Sequence, residues 1–211
     1  MSIGPDQYGI ASVLDACLFQ VLASREWFDS RVLILSVDQL RFRPRSGQWS
    51  IAECLDHLNR TFAYYLPKIE QAVDHGLGEG ECSERRLNLE ESEDDFLRQM
   101  EPPIIIRMST PTLLLPTPAV DPDQIVEDFP QLRDRFATAV HAAASVDVLN
   151  ISIADSIHPP VQSLGGAIAL LAAHERRHLL QAQRVLSVSG LPTYRAAGDL
   201  WTIVKDVRTG E

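Results

Sequence analysis

The stretch AIALLAAHERRHLLQAQRVLSV, Ala167 to Val188, decides the fold. Ala167, Leu171, His174, His178, Gln181, Val185 and Val188 recur at spacings of four and three, the seam of a helix that faces other helices. Most of the seam is apolar or small, but two of its positions are histidines one turn apart. At i and i+4 both imidazoles project from one side of the helix. Burying two bare imidazoles is costly if their nitrogens go unpaired. A divalent metal removes that cost, because neutral imidazole is a ready ligand. The spacing therefore raises the question of a third ligand.

Three further helical patterns surround this one. Leu14, Cys17, Val21, Phe28 and Leu35 predict a first helix over roughly 7–37. Ile51, Leu55, Leu58, Phe62, Leu66, Ile69 and Val73 predict a second over 50–75. Ser50 is placed as its N-cap, Glu53 completes a capping box, and Gly76 is the expected C-cap. Ile125, Phe129, Leu132, Phe136 and Val140 predict a third over 122–145, with Pro130 as a kink or a restart. The fourth runs over 163–189 with Ser163 as its cap, and a tail, 190–211, follows with a short helix expected around Trp201. Between the second and third lies a long crossover, with a short helix expected over 92–99. Its proline-rich, apolar part, Met100 to Asp121, is expected to pack on the helices and border the site. No segment alternates long enough for a strand. The expectation is all-α: a single-domain four-helix bundle with long crossover connections.

Composition narrows the function. The chain has 211 residues, 45% apolar content and a net charge of −10, with only 19 Lys and Arg. That balance argues against a nucleic-acid surface, which needs a basic patch. No run approaches the ~18 uninterrupted apolar residues of a membrane span. The start lacks the pattern of a secretion signal. The three cysteines, Cys17, Cys54 and Cys82, include no CxxC pair and fit a reducing cytoplasm.

His57, on the shoulder of the second helical seam, is the best-placed partner for His174 and His178. His141 sits beside its stripe, His75 at a helix end, and His158 in a loop before Pro159, where it reads as a turn device. Three histidines from two helices would leave coordination positions open for water or substrate, a catalytic arrangement. Glu53, one turn before His57, reads either as a general base or as the capping-box partner of Ser50. Asp56 and Glu175 read as solvent-facing or as acceptors orienting the imidazoles. Gln181 is a candidate hydrogen-bond partner for a ligand histidine. Cys54 reads mainly as a small hydrophobe, and Trp49 as a staple for the helix start.

The segment WSIAECLDHL, Trp49 to Leu58, resembles the helix-two signature of the DinB-like (DinB/YfiT) superfamily. His158-Pro159 followed by HERRHLLQ, His174 to Gln181, resembles its helix-four signature. The resemblance implies a four-helix bundle with a three-histidine divalent metal site at His57, His174 and His178. It also implies small-molecule chemistry: transfer of a low-molecular-weight thiol to an electrophile, or hydrolysis by metal-activated water. A non-catalytic metal or small-ligand binding module is the alternative. A thiol co-substrate would need a basic anchor, with Arg45 and Arg107 as candidates, and a homodimer is compatible with the resemblance. Zinc, nickel, iron and manganese all accept histidine, so the ligand set does not choose among them.

Overall fold

The computed structural model describes residues 10–78, 89–101 and 108–188. The expected tail helix around Trp201, together with Cys82 and Arg107, lies outside them. Among the described residues the fold is helical and has no strand beyond one isolated bridge, Ser152 to Ser163. Its helices are α1 (Ile10–Trp27), α2 (Val37–Arg41), α3 (Ile51–Leu77), α4 (Glu91–Met100), α5 (Pro122–Ala143) and α6 (Leu164–Val188). The all-α expectation holds. Helix α3 packs against both α5 and α6, and α1 closes on those same two.

Local chemistry explains most of the boundaries. The Ser50 side chain accepts from the Glu53 amide at 3.2 Å, and the Glu53 carboxylate accepts from the Ser50 amide at 2.9 Å. This capping box starts α3 where the sequence placed it. Asp121 caps α5, and Pro122 occupies its first turn, where a missing N–H costs nothing. Pro130 lies inside α5, which continues through it.

Two boundaries differ from expectation. The first helix does not reach residue 37. It ends at Trp27, passes through a wider π-type turn over Phe28–Val32, and restarts as α2. Ser36 and Gln39 form a second capping box there. The apolar period continued across the break because Phe28 and Val32 are still buried. Gly76 is likewise not the C-cap of α3. It lies inside the helix, and a Cβ there would stand 2.5 Å from Ile151 Cδ1 and 2.9 Å from Val146 Cβ. Its role is close approach to the loop between α5 and α6.

Helix α6 is the most deeply placed. From Leu164 to Leu179 all but the half-buried Ala169 are buried, including Glu175, Arg176 and Arg177. Its N-terminus is capped from a distance. The Glu93 carboxylate of α4 accepts from the Gln162 and Ser163 amides and from the Ser163 hydroxyl, while Ser163 Oγ accepts from the Gly166 amide. A Cβ on Gly166 would fall 1.8 Å from Glu93 Oε1, so this contact requires glycine.

Candidate metal centre

Helices α3 and α6 bring His57, His174 and His178 together. All three are buried, and their ring centroids lie 4.5–4.8 Å apart. Among the described residues, these are the His, Cys, Asp and Glu side chains whose ligand atoms converge, all within 4.8 Å of one another. His57 Nε2 stands 2.7 Å from His174 Nε2.

The second nitrogen of each ring shows what the first can do. His57 Nδ1 lies 2.6 Å from the Leu114 carbonyl oxygen. A carbonyl only accepts, so Nδ1 carries the proton and Nε2 keeps its lone pair. His178 Nδ1 lies 3.0 Å from Gln181 Oε1, which leaves its Nε2 bare in the same way. His174 Nδ1 is buried with no partner. If His174 Nε2 donates to His57, Nδ1 is a stranded acceptor. If Nδ1 holds the proton, two lone pairs face each other at 2.7 Å. Either tautomer leaves a buried polar nitrogen unsatisfied, at a cost of about 1–3 kcal/mol. A cation between the rings would take up the facing lone pairs, so the donor set fits a divalent metal.

The electrostatics agree with ligation. Burial, then the neighbouring imidazoles and Arg177, holds the pKa of His174 well below its ordinary value. Burial, then His57 and Arg177, does the same for His178. Burial also lowers His57, against the opposing pull of its bond to Leu114. All three are therefore neutral near pH 7, the form that binds metal.

The crossover forms part of this site. Leu114 supplies the carbonyl behind His57, Arg60 donates to the Leu113 carbonyl at 2.9 Å, and Asp56 accepts from the Thr117 amide at 2.7 Å. Asp56 thus anchors the crossover and does not orient an imidazole. The Trp49 indole stacks on His178, centroids 5.6 Å apart, and tilts over His57 at 4.9 Å, so it walls the site as well as stapling the helix.

Glu53 holds the capping position. Arg43 Nε donates at 2.8 Å to Oε2, the oxygen that also accepts from the Ser50 amide, and Arg43 Nη2 donates to Oε1. Burial, the largest influence, pushes its pKa up. The hydrogen bonds from Arg43 and Ser50 outweigh that, and the net pKa falls below the ordinary value. Cys54 is buried and its thiol pKa is pushed up, so it stays protonated, and its sulfur is not among the converging atoms.

Sequence reasoning missed two residues near the centre. His158 is more than a turn device: it is 7% exposed, and its Nδ1 lies 2.8 Å from the Tyr65 hydroxyl. Burial, then the proximity of His57, pushes its pKa down to about 4. Arg133 is 0% exposed. It donates to Glu175 at 2.8 Å and to Asn59 at 2.6 Å. Glu175 therefore faces neither solvent nor an imidazole. Phe129, one turn before Arg133 on α5, was the available signal, since a guanidinium stacks on such rings; the second ring, Phe62, comes from α3.

The family model described as the DinB superfamily matches residues 20–182. The chain belongs to the DinB superfamily. No curated protein matches it, and no solved structure does. The matched span contains all three histidines, and a buried three-histidine cluster in a DinB-superfamily chain is compatible with metal binding. Among the described residues no helix is long and apolar enough to cross a membrane.

Proposed function

We propose that this DinB-superfamily protein is a metal-dependent enzyme acting on a small molecule, with His57, His174 and His178 as the ligands of one divalent ion. The observation that carries the reading is the convergence of three buried imidazoles, with His57 Nε2 and His174 Nε2 only 2.7 Å apart. An ion held by three neutral imidazoles would keep its full positive charge and lower the pKa of a bound thiol or water. The chain's own residues prepare that site. Leu114 and Gln181 fix the ring orientation and tautomer of His57 and His178. Trp49 covers two of the rings and restricts access by water. We give Glu53 a supporting role, holding the turn of α3 that carries His57, because Arg43 and Ser50 occupy its carboxylate. The reaction is then thiol transfer to an electrophilic small molecule, or hydrolysis.

Metal analysis and calorimetric titration of the wild type and of His57→Ala, His174→Ala and His178→Ala test the ligand set. One ion per chain is expected in the wild type, with sharply weaker binding in each variant. Unchanged metal content in the His174→Ala and His178→Ala proteins would remove the basis for a metal site. Metal-dependent conjugation of a low-molecular-weight thiol to an electrophile separates transfer from hydrolysis. Tight metal binding without turnover of either kind identifies a binding module instead.

A further inference from the structure

One buried cation has no place in the reaction: the Arg133 guanidinium. It lies 3.6 Å over the Phe129 ring and 4.2 Å over that of Phe62, and its Nη2 has no hydrogen-bond partner. Nε donates to Glu175 on α6, and Nη1 donates to Asn59 on α3. The network continues outward. Gln20 of α1 donates to the Ala172 carbonyl at 2.6 Å and to Glu175 Oε2 at 3.3 Å. Arg176 in turn donates to Gln20 and to Glu101. One set of contacts thus ties α1, α3, α5 and α6 together.

The attachment points matter more than the number of contacts. Glu175 follows His174 directly, and Asn59 lies two residues after His57. At about 100° per residue, Asn59 points to nearly the opposite side of α3 from His57, and Glu175 points about 100° around α6 from His174. Drawing Asn59 and Glu175 onto one guanidinium of α5 therefore turns His57 and His174 away from α5. On that other side they meet at 2.7 Å. A slip of α6 by one residue would swing Glu175 off Arg133 and strand both charges in the core, so the network also fixes register. Buried ion pairs add little net stability compared with apolar packing, and specifying one arrangement is their best-attested use.

We propose that Arg133, through Asn59 and Glu175, is a positioning residue for the metal centre, holding the imidazoles in register before any ion binds. The inference rests on the metal-dependent reading above. The test compares zinc affinity and the visible absorption of bound cobalt(II), which reports coordination geometry, in the wild type and two variants. Arg133→Met with Glu175→Met replaces the pair by apolar groups of similar volume. Arg133→Lys keeps the charge but lacks the fork that reaches both partners. Each variant is expected to keep its helical signal and cooperative melting. Zinc affinity should fall roughly 10- to 100-fold, the usual loss when groups orienting metal ligands are removed, and the cobalt spectrum should change. Arg135→Ala, which breaks a surface pair with Glu70, should move neither readout. A folded variant with wild-type affinity and an unchanged cobalt spectrum would overturn the positioning role and leave the metal site standing. If neither variant folds, the network is a stability element and the inference is wrong. A wild type that binds no metal overturns both readings.

Discussion

Helix α6 carries two buried polar clusters that turn out to be opposites. Toward α5 and α1, Glu175 meets Arg133 and Gln20, and nearly every donor finds an acceptor inside the protein. Toward α3 and the crossover, His174 and His178 meet His57, with the Nε2 atoms of His57 and His174 2.7 Å apart and His174 Nδ1 without a partner. Both clusters cost desolvation. Only the first is repaid by the chain itself. A bundle core can carry polar residues for two reasons, then, and the hydrogen-bond inventory separates them. A closed network specifies packing, whereas a convergent set of like ligand atoms is the arrangement a bound metal requires.

The sharpest way to break this contrast is to remove one member of each cluster from metal-free protein. Glu175→Ala leaves the Arg133 charge buried without its partner and should cost ~3–5 kcal/mol in urea unfolding. His174→Ala removes a group that is already short of a partner, and should cost under ~2 kcal/mol. Equal losses would mean that the histidine cluster is as much a packing element as the ion pair.

Acid distinguishes the two sides as well. His158 has a folded pKa of about 4, below the ordinary 6.5. Between those values the unfolded chain binds a proton that the native state does not. Stability should therefore fall as pH drops through about 6.5 and level off below about 4. His158 alone accounts for roughly 3 kcal/mol of this. The lowered pKa values of His57, His174 and His178 act in the same direction. Denaturation across this range should show a shallower slope for His158→Gln, and parallel curves would contradict the burial of that ring. On the metal-binding reading, the same depressed values predict that protons compete with a bound ion only at pH well under 6.5.

Metal should stabilise one cluster only. At a free zinc concentration 100 times the dissociation constant, the wild type should gain about 2.7 kcal/mol, and each of the three histidine-to-alanine variants should gain far less. Because Trp49 lies against His57 and His178, cobalt or nickel should also quench its fluorescence in a Trp27→Phe, Trp201→Phe background. The smallest effect is expected at the helix start that carries His57. Ser50→Ala should cost about 1 kcal/mol in thermal unfolding. A much larger loss would show that the turn before α3 is held by little else.

Much of this was legible in the sequence, because the relevant signals are local. The period of α6, the Ser50–Glu53 capping box, the start of α5 and the one-turn spacing of His174 and His178 all depend on neighbours within a turn or two. The apolar spacing predicts too long a first helix for the same reason. Its apolar spacing runs on through Phe28 and Val32, and nothing in that spacing registers the change from an α to a π-type turn. Gly76 looked like a helix end because glycine serves both as a cap and as a point of close approach. Only Val146 and Ile151, some 70 residues away in the chain, decide which.

The sequence by itself determined which residues could face inward: helical phase fixes the direction of a side chain relative to its own helix. It brought His57 within reach of the seam and put His174 and His178 on one face. The tertiary structure decided what each inward-facing polar group would meet. Arg133 and Glu175 have the look of surface charges, and they are buried because α5 and α6 present them to each other across Phe129 and Phe62. Leu114 became the acceptor behind His57, and Glu93 the cap of α6, through contacts made by the crossover and α4. A hydrogen bond depends on two positions in space, and phase along one helix supplies only one of them.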